Sequence, residues 1–311
     1  MTRLALPERF RKALSGLPAD AEVRWYRDSY QSERAVEGAE VLWHDLVTAG
    51  RPSDLVARAE MLSWVFTHTA GVDHLPLELL ARREIALFNG AGLYAIPIAE
   101  YTVMAMLVAT KRLQHVLQAQ VRKEWLERPV SYGELFGTSA MIIGYGHIGE
   151  AIKHRLDAFG VSSVGVRRRP EPPDVLGQTE WRARLGEFDW VIISAPLTSQ
   201  TVHLIAAPEL AAMRTSAWLV NVSRGQIVDT DALVAALASG SIGGAYLDVT
   251  EPEPLPGDSP LWTLPNVIVT PHTSFASDRF ARRAADLFVD TLSRFGGDPP
   301  PSNRVDLEAG Y

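Results

Sequence analysis

The 311-residue sequence contains no cysteine. This absence excludes disulfide bonds, a thiolate nucleophile and zinc sites with cysteine ligands, and we predict no metal site. Lysine is nearly absent as well, since it occurs only as Lys12, Lys111, Lys123 and Lys153. Arginine therefore supplies almost all of the positive charge.

Long apolar runs are also missing. The sequence has no stretch of 18 uninterrupted apolar residues, and its first twenty residues carry charges every few positions, unlike a secretion signal. The net charge of −7 gives no electrostatic reason to expect nucleic acid or an anionic membrane surface as a partner. We therefore expect a cytoplasmic protein without nucleic-acid or membrane partners, long enough for two domains.

Predicted strands alternate with helical segments in two blocks. The first block has strands at 22–26, 40–44, 62–67 and 85–89. The second has strands at 139–143, 161–166, 190–195, 217–222, 244–248 and 267–270. Alternation of this kind is typical of parallel sheets covered by helices on both faces. The predicted fold class is α/β, with a doubly wound parallel sheet in each block.

One long segment, 97–124, is rich in apolar residues and contains no proline after its first position. Its apolar residues cover much of a helical circumference, which favours a helix buried at a domain or subunit interface. Burial within a single subunit is the alternative.

Residues 141–149 (MIIGYGHIG) join an apolar strand to the pattern G-x-G-x-x-G and then to a helical segment. Such glycines allow a tight turn, close backbone approach to a pyrophosphate, and packing of the helix on the strand. The anion would bind N–H groups at the helix N-terminus. The glycines alone are also compatible with a plain turn, but their position between strand and helix favours dinucleotide binding. The predicted cofactor-binding turn consists of Gly144, Tyr145, Gly146, His147, Ile148 and Gly149.

The next predicted strand ends in Arg167, Arg168 and Arg169, where the NAD-binding version of this motif has an acidic residue. Guanidinium groups at this position suit the 2′-phosphate of NADP, which they bind in a bidentate manner. A solvated basic loop is the plainer interpretation. We predict NADP(H) as the preferred cofactor and NAD(H) as the alternative.

Arg224, Glu253 and His272 each follow a predicted strand of the second block, where doubly wound sheets bind ligands. Beside a nicotinamide, the arginine would hold a substrate carboxylate and polarise the adjacent carbonyl. The histidine would exchange the proton, and the carboxylate would orient the imidazole and favour its protonated form. Taken singly, the three are better explained as a turn residue, a solvated carboxylate and a structural histidine. Their joint occurrence favours the reaction.

These motifs resemble those of the D-isomer-specific 2-hydroxyacid dehydrogenases over nearly the whole chain. The resemblance rests on the glycine motif, 195–198 (APLT) with Thr201, 221–225 (NVSRG), Asp248 leading to Glu253, and 270–272 (TPH). It implies that Arg224, Glu253 and His272 are the catalytic residues. It also implies that the N–H groups of Ala70 and Gly71 bind the substrate carboxylate. The further cofactor-binding residues that it implies are Pro196, Thr201, Val222, Asp248, which would face the nicotinamide carboxamide, and Ser274.

Within that family, 41–44 (VLWH), 259–262 (SPLW) and the end of the chain are similar to glyoxylate/hydroxypyruvate reductases, which prefer NADPH. Trp43 would then cap a pocket for small 2-oxo acids, unless it simply packs in the core at a strand end. Many members have Gly-Gly or Gly-Ser soon after the histidine, whereas this chain has Thr273, Ser274 and Phe275, and this departure leaves the substrate open.

The predicted protein is an NADP(H)-preferring D-2-hydroxyacid dehydrogenase that reduces small 2-oxo acids such as glyoxylate or hydroxypyruvate, with His272 as the proton donor. Two alternatives stay open. One is an NAD-dependent dehydrogenase of larger D-2-hydroxy acids, and the other is a non-catalytic dinucleotide sensor on the same fold.

The resemblance also implies a discontinuous domain organisation. Residues 1–95 plus 279–311 would form a flavodoxin-like substrate domain, and residues 96–278 a Rossmann nucleotide-binding domain, with an active-site cleft between them. The apolar helix that begins near residue 97 would form the interface of a homodimer.

Overall fold

The computed structural model describes residues 2–127, 133–168, 170, 175–177 and 179–310. The chain divides into two compact units, Met1–Tyr94 with Ser277–Tyr311, and Ala95–Ala276. The predicted boundaries put Ala95 in the first domain and Ser277 and Asp278 in the second, whereas the structure places each of them in the other unit.

The strands of the described residues follow the alternation in the sequence. They are β1 (Arg3–Pro7), β2 (Glu22–Tyr26), β3 (Val41–His44), β4 (Trp64–Thr67), β5 (Ala86–Phe88), β6 (Ser139–Ile143), β7 (Ser162–Val166), β8 (Val175–Leu176), β9 (Trp190–Ile193), β10 (Trp218–Asn221), β11 (Gly244–Leu247) and β12 (Val267–Val269). Every predicted strand is present, with ends that differ by at most two residues. Strands β1 and β8 were not predicted.

The α-helices connect these strands. They are α1 (Ser29–Ala35), α2 (Pro52–Arg58), α3 (Leu77–Arg82), α4 (Ala95–Thr110), α5 (Leu113–Arg122), α6 (His147–Ala158), α7 (Ala207–Ala212), α8 (Thr230–Ser239) and α9 (Phe280–Arg294). In the described parts of the chain, none of the helices combines the length and the apolar character needed to span a bilayer.

The first unit is built on a parallel sheet with the order β2-β1-β3-β4-β5. Successive side chains of a strand point to opposite faces of a sheet. In β4, Trp64 and Phe66 therefore pack in the cluster that contains Phe288 of α9, whereas Val65 packs on the other face with Leu55 of α2. Both faces are covered, which explains why β3 and β4 are buried at every residue.

The second unit is built on a parallel sheet with the order β12-β11-β10-β9-β6-β7-β8. The chain leaves β6 toward β7 and later returns to the opposite side of β6 at β9, so the direction of winding reverses there. Ligands of doubly wound folds bind at the carboxyl ends of the strands around such a reversal. The predicted fold class, two parallel-sheet α/β domains, is confirmed.

The predicted single helix over 97–124 is wrong, because it is two helices. Arg112 adopts a left-handed backbone conformation (φ 46°) between α4 and α5, which ends the first helix. Helix α4 is largely buried and packs on α6 within its own unit, so many of its apolar side chains belong to the core of that unit. Helix α5 instead exposes apolar side chains, among them Leu117 and Val121.

Candidate active site

The glycine turn connects β6 to α6. Gly144 has a positive φ of 97°, and a Cβ atom there would lie 2.2 Å from the backbone nitrogen of Ala195, so only glycine fits. Gly146 is the exposed N-cap of α6 and receives no side-chain cap, and nothing lies within 4 Å of where its Cβ would be. Exposed N–H groups at the helix N-terminus and room for close backbone approach fit a pyrophosphate.

The remaining residues of the turn differ in exposure. His147, the first residue of α6, is exposed, and Tyr145 and Ile148 are half-buried. Gly149 is buried, and its Cβ would lie 2.9 Å from the carbonyl oxygen of Gly144, so it allows the helix to pack on the turn.

The end of β7 lies directly beside this turn. The backbone N–H groups of Gly144 and Tyr145 both donate to the carbonyl oxygen of Val166, at 3.0 and 2.9 Å. Arg167 follows Val166 and is half-buried, and Arg168 is exposed. Arg167 and Arg168 therefore directly follow Val166, the residue that is bonded to the glycine turn. Arg169 lies outside the described residues.

The loop after β9 borders the turn on the other side. Ser194 Oγ donates to the carbonyl oxygen of Gly144 at 2.9 Å. Thr201 Oγ1 donates to the carbonyl oxygen of Pro196 and accepts from Thr198 N, each at 2.7 Å, which closes the loop into a compact turn. Pro196 is exposed at this edge, and its contact with a cofactor stays a prediction.

Arg224 follows β10 in extended conformation and is half-buried. Asn221 Nδ2 donates to its carbonyl oxygen at 2.9 Å. The next residue, Gly225, packs directly on the chain that follows β11, because a Cβ there would lie 2.1 Å from the carbonyl carbon of Thr250. The loops that carry Arg224 and Glu253 are therefore held in backbone contact.

Glu253 and His272 are brought together directly. Glu253 Oε2 lies 3.0 Å from His272 Nδ1, and Glu253 Oε1 accepts from Thr250 N at 3.0 Å. The bond at Nδ1 leaves Nε2 as the ring atom available to a substrate. Both side chains are well exposed, at 40% for Glu253 and 38% for His272, so the pair contributes little to stability and serves to orient the imidazole.

The backbone of His272 is left-handed (φ 51°), which is uncommon for a residue other than glycine. Its N–H donates to the carbonyl oxygen of Asp248 at 2.7 Å. The Asp248 carboxylate accepts from Thr270 Oγ1, Thr273 N and Ser274 N at 2.8 to 2.9 Å. Asp248 therefore holds the whole histidine loop in place.

Asp248, Val222 and Ser274 are all buried, with 1%, 5% and 3% of their surface exposed. Since the Asp248 oxygens already accept three hydrogen bonds, the structure assigns this residue to supporting the histidine loop, and its contact with a carboxamide stays a prediction. Phe275 is 44% exposed, and its ring meets the His272 ring edge to face at 5.8 Å.

In the first unit, Ala70 and Gly71 lie half-buried in the loop after β4. The sequence reasoning missed Asn89, whose Nδ2 donates to the carbonyl oxygen of Ala70 at 2.8 Å. It also missed Thr250, which binds Glu253. Asn89 is a polar residue directly after β5, which is the pattern that identified Arg224 and Glu253 in the other unit.

The prediction that Trp43 contacts substrate is wrong. Trp43 is fully buried, stacks between Phe10 and Phe288 at 4.4 and 4.9 Å, and meets Phe66 edge to face. Its Nε1 lies 3.4 Å from His68 Nδ1. A side chain enclosed in this way belongs to the core, which was the alternative interpretation.

Comparison with known proteins identifies the family of the chain. The D-isomer specific 2-hydroxyacid dehydrogenase, NAD binding domain, matches residues 103–274. A glyoxylate reductase of Thermofilum pendens is 33% identical over 267 residues, which is 83% of this chain and 79% of the relative. A glyoxylate/hydroxypyruvate reductase B of Yersinia pestis is 36% identical over 254 residues, which is 77% of this chain and 76% of the relative.

Among solved structures, an NADPH-dependent glyoxylate/hydroxypyruvate reductase from Sinorhizobium meliloti, in complex with NADP and sulfate, is similar over 99% of each chain. Its TM-score is 0.84 and its sequence identity 27%. These matches confirm the predicted family: the chain belongs to the D-isomer specific 2-hydroxyacid dehydrogenases, which are NAD(P)-dependent oxidoreductases.

Proposed function

We propose that the protein reduces small 2-oxo acids, such as glyoxylate or hydroxypyruvate, to D-2-hydroxy acids with NADPH as the preferred reductant. The observation that carries this proposal is the pairing of His272 Nδ1 with Glu253 at 3.0 Å, on a loop that Gly225 keeps in contact with the loop of Arg224. The relatives named as glyoxylate reductases support the substrate class.

Each residue has a distinct task in this proposal. When bound, the nicotinamide supplies the hydride. His272 gives the proton from Nε2 to the substrate oxygen, since Nδ1 is bonded to Glu253. Glu253 keeps the imidazole ring oriented through the bond to Nδ1. Arg224 binds the substrate carboxylate through its guanidinium, and the N–H groups of Ala70 and Gly71 bind the same carboxylate.

The preference for NADPH rests on Arg167 and Arg168, which follow β7 beside the glycine turn where NAD-specific proteins have an acid. We expect Arg167→Ala and Arg168→Ala to raise the KM for NADPH about tenfold or more, because each removes a charged partner of the 2′-phosphate. The KM for NADH should stay nearly unchanged. Arg282→Ala, on the exposed side of α9, is the matched control.

The first test follows nicotinamide absorbance with glyoxylate, comparing NADPH with NADH at equal concentration. Rapid oxidation of NADPH alone supports the proposal, and oxidation of NADH alone contradicts the cofactor preference while keeping the reaction. Higher kcat/KM with bulky 2-oxo acids would contradict the substrate assignment. Tight cofactor binding with no turnover on any 2-oxo acid would point to a dinucleotide sensor instead.

We also propose that the protein is a homodimer, joined through the face of α5 that presents Leu113, Leu117 and Val121. These side chains are 40%, 50% and 83% exposed. Gln114, Gln118 and Arg122, whose guanidinium pairs with Glu124, flank them. A two-fold interface places the same surface patch of both copies against each other, so an exposed apolar face of this kind suits self-association.

A further inference from the structure

The loop that follows β4 is held by the segment that follows β5. Gly90 N donates to the carbonyl oxygen of Thr69 at 2.8 Å, and Asn89 Nδ2 donates to the carbonyl oxygen of Ala70 at 2.8 Å. The Thr67 and Thr69 hydroxyls are 2.9 Å apart within the same loop. The carbonyl of Ala70 is therefore directed at one fixed side-chain donor.

The planarity of the peptide bond transmits this constraint to the next residue. In a trans peptide the carbonyl oxygen and the following N–H point in opposite directions from one rigid plane. The bond from Asn89 to the Ala70 oxygen therefore turns the Gly71 N–H away from Asn89. Because glycine restricts its own backbone least, an external hold of this kind is what gives the Gly71 N–H a defined direction.

Asn89 itself has no freedom to rotate. It is 7% exposed, and its backbone exchanges hydrogen bonds with Asn303, whose Nδ2 donates to the Asn89 carbonyl at 2.9 Å. Its Oδ1 accepts from Ala91 N at 3.1 Å. Asn303 is in turn bonded to Thr291 on α9. Asparagine fits because one side chain must accept from Ala91 and donate to Ala70 at once, which aspartate cannot do.

We infer that Asn89 is a positioning residue for substrate binding: through the Ala70 carbonyl it aims the Gly71 N–H at the carboxylate of a 2-oxo acid. This inference rests on the proposed function, in which that N–H binds the substrate carboxylate. Asn89 does not touch the substrate, so its effect is exerted on binding of the carboxylate and not on the proton or hydride.

Asn89→Ala removes the donor and frees the peptide to rotate. We expect the KM for glyoxylate and the inhibition constant of oxamate, a carboxylate analogue of 2-oxo acids, to rise about tenfold, which is the effect of losing one hydrogen bond to a charged group. The Kd for NADPH should not change. Asn89→Asp should raise both constants more than Asn89→Ala does, because a carboxylate repels both the Ala70 oxygen and the substrate anion.

Thr291→Val is the matched control, because it removes a hydroxyl from the same buried network without touching the loop after β4. Thermal unfolding is measured for all three variants. If Asn89 only supported the fold, the KM values would follow the loss of Tm, and Thr291→Val would raise KM as much as an Asn89 variant of equal Tm. That result would overturn the inference.

A readout independent of turnover is the amide resonance of Gly71 in ¹⁵N-labelled protein titrated with oxamate. The expected result is a shift in the wild type that is lost in Asn89→Ala and kept in Thr291→Val. Equal shifts in the wild type and Asn89→Ala, or no shift in the wild type, would contradict the inference. A wild type that reduces no 2-oxo acid refutes the proposed function instead, and the Gly71 resonance still decides the role of Asn89.

Discussion

The chemistry of the candidate site depends on which atom of His272 faces the substrate. Glu253 is bonded to Nδ1 of the ring. The backbone of His272 is left-handed and its N–H is bonded to the Asp248 carbonyl, so the position from which the side chain extends is fixed. Because the pair is well exposed, it serves to orient the imidazole and contributes little to stability.

Glu253→Gln tests this role. The amide keeps the size of the side chain but not its charge, so it holds the imidazole less firmly than the carboxylate does. We expect kcat for glyoxylate reduction at neutral pH to fall about tenfold or more. Steady-state kinetics at neutral pH measure the change, with Glu78→Gln on the exposed side of α3 as control. An unchanged kcat in Glu253→Gln contradicts the role.

Two buried histidines of the first unit make the stability of the protein depend on pH. Burial lowers the pKa of His44 to about 4 and the pKa of His68 to about 4, although the nearby Asp45 favours their charged forms. An unfolded histidine titrates near pH 6.5, so the unfolded chain takes up protons before the folded one does. The stability contributed by keeping these rings neutral is therefore full above pH 6.5 and is lost as the pH falls toward 4.

The free energy of unfolding should fall by roughly 3 kcal/mol per histidine over that range. About 2 kcal/mol of this loss per histidine falls between pH 7.5 and pH 5, and urea unfolding at these two pH values measures it. In His44→Gln, the difference between the two pH values should be smaller than in the wild type, whatever the substitution costs at pH 7.5. His154→Gln, at an exposed position of α6, should leave the difference unchanged. Equal pH dependence in all three proteins would contradict the prediction.

At the scale of elements, the site is a set of loops at the carboxyl ends of parallel strands, and their relative positions depend on close backbone contacts. Gly225 is the clearest of these, because its Cβ would lie 2.1 Å from Thr250 and 2.6 Å from Glu251 N. The contacting atoms are backbone atoms, which cannot move aside as a flexible side chain does.

Gly225→Ala should therefore separate the loop of Arg224 from that of Glu253. We expect a loss of about 1–3 kcal/mol in stability from overpacking, together with a larger fall in kcat/KM than the loss of folded protein explains. Thermal unfolding and steady-state kinetics measure the two effects. Gly257→Ala is the control, because nothing lies within 4 Å of its Cβ position in the same loop region. Wild-type kinetics in Gly225→Ala would show that the contact does not position the site.

The sequence predicted the features that depend on local pattern. Apolar runs bounded by turns located most strands, and polar residues in the segments after three predicted strands identified Arg224, Glu253 and His272 as candidates. It could not show that Arg112 would break the long helix, since φ is left-handed there without a glycine. Nor could it distinguish a buried Trp43 from a substrate contact, because the side chain that encloses it, Phe288, comes from the distant helix α9.

Strand β1 was missed for a similar reason. Its five residues, Arg3–Pro7, contain a charge and a proline and are followed by charged residues, so the local pattern is weak. In the structure it lies between β2 and β3 and is buried from Leu4 onward. Long-range pairing thus makes a strand of a segment that its own composition does not identify.

At the scale of the whole molecule, the first unit is completed by the C-terminal segment. Phe288 of α9 fills the core cluster of the sheet, and Asn303 anchors Asn89 beside the loop of Ala70 and Gly71. The end of the chain therefore contributes to the geometry of a loop near residue 70. Truncation before Asn303 should therefore disturb the loop of Ala70 and Gly71 more than the exposure of the tail suggests.

The exposed face of α5 determines the expected assembly. Leu117→Asp would place a charge opposite its own copy at the proposed two-fold interface, so we expect the dimer to dissociate, with a monomer mass of 34.2 kDa in light scattering. Met61→Asp, at a comparably exposed apolar position of the first unit, should leave the mass of the dimer unchanged. A wild-type monomer, or a Leu117→Asp dimer, would show that the face of α5 does not join two copies. Because the face lies outside the residues proposed for catalysis, the monomeric variant should still bind NADPH, which separates loss of assembly from loss of fold.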